Sequence, residues 1–68
     1  MLKSNIGILL KNSPLKREYI MKQLNVSANT LSNWSTGKRR PSVESAFELA
    51  KLLDCKVDDL FTYEEEKQ

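Results

Sequence analysis

Apolar residues recur along this chain in short stretches at spacings of three and four, the period of an α-helix with one buried face. Leu2, Ile6, Leu9 and Leu10 form the first stretch, and with Ser4 available as a cap they predict a helix over residues 3 to 11. Asn12, Ser13 and Pro14 end it. Ile8 falls off the apolar face, and Gly7 weakens the helix interior by about 1 kcal/mol relative to alanine. Ile20, Met21 and Leu24 predict a second helix of about two turns over residues 17 to 24, with Leu15 packing just before its start. Asn25 accepts a left-handed backbone at low cost and so supplies a sharp turn, after which Val26 enters the core. Ser27 is a good N-cap for a third helix over residues 28 to 35, in which Leu31 and Trp34 share one face and which Gly37 ends.

Pro41 and Ser42 announce a fourth helix, with Ser42 as cap and Glu44 near the positive end of its dipole. Val43, Ala46, Phe47, Ala50 and Leu53 are expected to line its buried stripe, with Leu49 at the margin. Asp54 and Cys55 form a break. Val57, Leu60 and Phe61 predict one or two turns of a fifth helix; Tyr63 begins a polar segment, and residues 62 to 68 are expected to form a frayed, net acidic tail. The pattern predicts a single all-α domain over residues 1 to 68, a compact bundle of five helices, because 68 residues bury too little apolar surface for two cores.

The outward face of the third helix consists of Asn29, Ser32 and Asn33, without a single charge. Asparagine is a poor helix former, so two on one short exposed face call for a reason beyond solvation. Charge along the chain supplies one. Residues 1 to 41 carry eight basic side chains against one acid, whereas residues 42 to 68 carry three against eight, a segregation hidden in the net charge of +2. Chance segregation of solvated charge is the plain alternative to a cationic face that meets a polyanion. Two short helices joined by a tight turn, the second uncharged and hydrogen-bonding on its outer face and both flanked by cations, suit the major groove of duplex DNA: amides and hydroxyls can pair with base edges and cations with phosphates.

Other chemistry finds little support. With no histidine, one cysteine and no glycine-rich phosphate loop, neither catalysis nor a cofactor nor a metal site is expected. Cys55 cannot form an internal disulfide and reads as a small buried hydrophobe. No apolar run approaches the ~20 residues that cross a bilayer, and no basic-then-apolar leader opens the chain, so a cytoplasmic protein without a membrane partner is expected.

The run Val26-Ser27-x-x-Thr30-Leu31-Ser32-x-Trp34-x-x-Gly37-Lys38-Arg39-x-Pro41-Ser42, continued by Leu49-Ala50-x-x-Leu53 and by Val57, Asp58, Asp59, Leu60 and Phe61, closely resembles the Cro and lambda-repressor (Xre-like) helix-turn-helix family of transcriptional regulators. The resemblance covers about residues 6 to 61. It implies five helices, a helix-turn-helix at about 17 to 35 with the third helix as recognition helix, and commonly a homodimer on a two-fold symmetric DNA operator. Carried over by position, Ala28, Asn29, Ser32 and Asn33 would face the bases, and Arg17, Thr36, Lys38, Arg39 and Arg40 would lie near phosphates. The implied function is a sequence-specific regulator, most simply a repressor that acts by occupying its operator. The rival is an antitoxin-like or accessory module that binds a protein partner with the same helices.

Several positions depart from the family pattern. Arg17 replaces the usual glutamine and Lys16 the usual serine or threonine cap, Met21 stands where alanine is usual, and Asn25 and Asp54 occupy positions normally glycine. Leu10, where arginine is common, is expected to expose an apolar side chain. Leu60, Phe61 and Tyr63, with Ile8, look more apolar than a monomer surface needs and are the expected dimer interface.

Overall fold

The computed structural model describes residues 1–65. Along the chain it forms β1 (Leu2–Ser4), α1 (Ile6–Asn12), α2 (Arg17–Leu24), α3 (Ala28–Thr36), α4 (Val43–Leu52), α5 (Val57–Leu60) and β2 (Phe61–Tyr63). Each helix places one large apolar side chain wholly out of solvent: Ile6, Ile20, Leu31, Leu49 and Leu60. Trp34, Ala46 and Ala50 complete the buried core, which half-buried leucines and Val26 surround. Burying such a side chain contributes about 1.5–3 kcal/mol, so the five together draw all the helices into one cluster. Trp34 is therefore a core residue, as its spacing from Leu31 predicts.

The N-terminus differs from expectation. Residues 2–4 are a strand rather than the start of a helix, and β1 pairs antiparallel with β2 in the register Leu2 to Tyr63, Lys3 to Thr62 and Ser4 to Phe61. The ladder runs on at both ends, since Asn5 N–H donates to Leu60 O at 2.8 Å and Glu64 N–H to Met1 O at 2.8 Å. Asn5 also ties the two segments through its side chain, donating to Thr62 Oγ1 at 2.8 Å. The fold is thus mostly helical with a small two-stranded sheet, and Thr62 and Tyr63 belong to that sheet rather than to a frayed segment. Residues 66–68 of the expected fraying lie outside the described residues.

Two further corrections concern which faces are buried. On α4 the buried stripe is Ala46, Leu49 and Ala50, with Leu49 fully enclosed, whereas Val43 is 75% and Phe47 62% exposed. α4 contacts both α2 and α5, and the face it turns into the core carries Ala46, Leu49 and Ala50, which leaves Phe47 outside. Leu10 is half-buried against the core instead of exposed. Gly7 has a structural reason: a Cβ there would meet Ser35 O of α3 at 3.2 Å, so glycine permits the close approach of α1 to α3.

Candidate nucleic-acid interface

α2 begins without a side-chain cap at Lys16, as its sequence predicts, and only Glu18 in the first turn complements the helix dipole. Its end is well closed. Asn25 adopts φ 56° and ψ 48°, its N–H donates to Lys22 O at 3.3 Å, and Val26 N–H donates to Met21 O at 3.0 Å. This pair of bonds is the Schellman arrangement, which satisfies two carbonyls that would otherwise lack partners. The turn to α3 therefore needs only Asn25, Val26 and Ser27.

Ser27 caps α3 by accepting from Thr30 N–H at 3.1 Å, and its hydroxyl shares a second bond with Thr30 Oγ1 at 3.0 Å. Leu31 and Trp34 point into the core, which leaves Ala28, Asn29 and Ser32 exposed and Asn33 half-buried on the outer face. The helix stops at Gly37, whose φ of 81° is a left-handed conformation that glycine adopts without a Cβ penalty.

Beyond Gly37 the chain folds back on the helix. Arg39 N–H donates to Asn33 O at 3.2 Å, and Thr36 Oγ1 donates to the same carbonyl at 3.3 Å. Lys38 and Arg39 are thereby brought beside Asn29 and Asn33, and these four residues line one polar concavity free of acids. Thr36 and Arg40 are exposed nearby in the chain. Arg17, also exposed, lines a separate cleft with Lys11 of α1. Among the described residues the single ion pair joins Lys3 to Glu64 at 3.7 Å, so Lys11, Arg17, Lys38, Arg39 and Arg40 keep their charge available to an outside anion.

Of the expected base-facing and phosphate-facing residues, Asn29, Asn33, Lys38 and Arg39 meet in one concavity beside α3, whereas Arg17 sits in the second cleft. Lys11 carries no assigned role in the sequence; Arg17 is six residues away in the chain, and the two line one cleft only in the folded chain. Leu60, expected at a dimer interface, is 0% exposed, because it belongs to the core cluster with Ile6, Ile20, Leu31 and Leu49, so it has no surface to offer a partner. Phe61 is half-buried against the core, and Tyr63 is exposed on β2.

Away from α3, Cys55 is half-buried, and its thiol is pushed above the ordinary range first by desolvation and then by the carboxylates of Asp59 and Asp54. Among the described residues no group of three or more histidine, cysteine, aspartate or glutamate side chains is placed to hold a metal ion, and no helix is long and apolar enough to cross a membrane.

The model of a family described as Helix-turn-helix matches residues 15–60, from the residue before the α2 cap to the last residue of α5. The chain belongs to the Cro and lambda-repressor-like helix-turn-helix family. Two archaeal proteins similar to this helix-turn-helix chain are named uncharacterized HTH-type transcriptional regulators. One, from Methanocaldococcus jannaschii, is 38% identical over 53 residues, 78% of this chain and 80% of its own length. The other, from Archaeoglobus fulgidus, is 28% identical over 53 residues, 78% of this chain and 75% of its own length. A solved structure of a Bacteroides fragilis protein, described as a candidate DNA-binding protein, superposes with a TM-score of 0.82 at 26% identity, covering 91% of this chain and all of its own. In this helix-turn-helix chain α2 and α3 are the two helices of the motif, and Asn25 makes the turn.

Proposed function

We propose that this helix-turn-helix regulator binds duplex DNA sequence-specifically with α3 in the major groove, and represses by occupying its operator. The observation that carries the reading is the acid-free concavity in which Asn29 and Asn33 lie beside Lys38 and Arg39. An asparagine amide can pair with both N6 and N7 of adenine, which makes Asn29 and Asn33 the sequence readers, with Ala28 and Ser32 completing the base-facing surface. Arg17, Thr36, Lys38, Arg39 and Arg40 hold the backbone, because neutralised phosphates release counterions and supply affinity irrespective of sequence. One nine-residue helix reaches few base pairs. A homodimer on a two-fold operator, with half-sites ~34 Å apart, supplies the remainder.

Selection of bound duplexes from a random pool by the isolated protein tests this reading. It predicts a two-fold symmetric consensus whose binding weakens steeply with salt. A pool that shows no enrichment would overturn it.

The second reading, a module that docks a protein, has the exposed Val43 and Phe47 and the acid-rich second half of the chain in its favour. It predicts tight binding to a protein partner by a chain that does not shift duplex DNA.

A further inference from the structure

We propose that Ser4 of β1 is a positioning residue for DNA binding: its hydroxyl holds the end of α3 and, through it, the basic loop of Lys38 and Arg39. The proposal rests on the DNA-binding reading above and adds a residue that does not line the concavity of Asn29, Asn33, Lys38 and Arg39, and so acts through α3 rather than on DNA. Asn33 O and Trp34 O are two of the last four carbonyls of α3, which a helix leaves without partners of its own. Four donors reach them. The Thr36 hydroxyl and Arg39 N–H meet at Asn33 O, and Gly37 N–H reaches Trp34 O at 3.3 Å. These three come from the same stretch of chain. The fourth, the Ser4 hydroxyl, comes from the first strand of the fold and makes the shortest of the four bonds, 2.7 Å to Trp34 O.

A serine hydroxyl has one proton to donate. Here that proton goes to Trp34 O while Ile6 N–H donates into the Ser4 oxygen, so the hydroxyl is oriented from both sides. A Cβ at Gly37 would lie 3.7 Å from Ser4 Cβ, which puts the Ser4 side chain against the turn where the basic loop leaves the helix. Ser4 is itself fixed to the body of the fold. It pairs with Phe61 in the sheet, and the next residue, Asn5, donates its N–H to the carbonyl of the fully buried Leu60. A turn made at glycine has the most conformational freedom to lose, so an outside tie matters most there. A loop ordered before it meets its partner need not be ordered on binding, and it binds more tightly for that reason. Because Lys38 and Arg39 supply affinity irrespective of sequence, release of the tie weakens every duplex alike.

Titration of the full chain and its variants against the selected duplex and a scrambled one tests the proposal, with circular dichroism to show each variant folded at the assay temperature. Ser4→Ala is expected to bind both duplexes about three- to tenfold more weakly per bound copy, one hydrogen bond expressed as affinity. Ser4→Thr keeps the hydroxyl and suits a strand, and should restore binding. Ser4→Cys, whose thiol is a weak donor, should fall between serine and alanine. Asn5→Ala removes side-chain bonds to Thr62 and Asp59 in the same region, none of which goes to α3, and should bind as the wild-type chain does. A general loss of stability would instead affect Ser4→Ala and Asn5→Ala alike. In a Lys38→Ala/Arg39→Ala background, at low salt where binding stays measurable, Ser4→Ala is expected to lose less than about twofold further, because the loop it holds lacks both cations. Wild-type affinity in Ser4→Ala, an equal loss in Asn5→Ala, or an undiminished loss in the Lys38→Ala/Arg39→Ala background would overturn the positioning role while leaving DNA binding in place. A wild-type chain that shifts no duplex would overturn both.

Discussion

The Ser4 hydroxyl donates to the Trp34 carbonyl at 2.7 Å, across thirty positions of sequence. Trp34 O is one of the carbonyls left over at the end of α3, and Gly37 N–H reaches the same atom at 3.3 Å. Ser4 also accepts from Ile6 N–H at 3.3 Å, so one hydroxyl joins β1, the start of α1 and the end of α3. Ser4→Ala removes a part-buried bond and is expected to cost about 0.5–1.5 kcal/mol, the usual net worth of one hydrogen bond. Urea denaturation gives the value, and amide exchange should quicken in the last turn of α3 as well as in β1. Loss confined to β1 would show that the strand does not support the helix.

Leu49 and Phe47 lie two residues apart on α4 with opposite fates in the fold. Leu49→Ala empties a site that is 0% exposed and is expected to cost about 2–5 kcal/mol, much of the stability of so small a domain. Phe47→Ala, measured by denaturation at concentrations too low for self-association, should cost less than about 1 kcal/mol. The reverse order would mean that the stripe predicted from the sequence is the buried one after all.

The two left-handed positions that frame α3 should respond oppositely to substitution. Gly37→Ala places a Cβ at φ 81° and is expected to cost about 1–2 kcal/mol. Asn25→Gly, at φ 56°, relieves that conformation at the expense of unfolded-chain entropy and should change stability by less than about 1 kcal/mol. Chemical denaturation of both variants decides the matter.

Cys55 predicts a pH dependence. Its raised pKa means that the folded chain holds the thiol proton more tightly than the unfolded chain does. The contribution of Cys55 to stability is therefore full below the unfolded thiol pKa, ~8.5, and is lost as pH rises through the folded value. Alkylation of the native protein at low concentration should lag behind that of the urea-unfolded chain near pH 8, and the gap should narrow at higher pH. Cys55→Ala should remove the alkaline loss of stability assigned to this thiol.

The helix-turn-helix is legible in the sequence because its signals are local. Ser27 as cap, Asn25 as turn and Gly37 as stop are short-range devices, and α2 spans the residues that its apolar spacing predicts. The errors all involve distant partners. Leu2 fits a helical spacing with Ile6, and nothing near it in sequence reveals that Tyr63 pairs with it. Phe61, Thr62 and Tyr63 do favour strands, but three residues are too few for an alternating pattern to show. On α4 the apolar residues wrap most of the helix, and the packing of α2 and α5 decides which third is buried. Leu60 reads as available because its place in the shared core is not visible in the sequence. The outer face of α3 can be read from spacing alone, whereas the joining of Lys11 to Arg17 needs two helices in place.

In the proposed function the work around α3 is divided, with amides to read sequence and cations to supply affinity. This division is tested most directly by titrating the wild-type chain, Asn33→Ala and Arg39→Ala against the selected duplex and a scrambled one over a range of salt. Asn33→Ala is expected to lose about 1–3 kcal/mol of discrimination between the two duplexes, the worth of one bidentate contact. Arg39→Ala should weaken both duplexes alike and lower the slope of log K against log salt by roughly 1 for the phosphate contact removed. If Asn33→Ala weakens both duplexes equally and Arg39→Ala changes base preference, α3 does not read DNA through the face assigned to it.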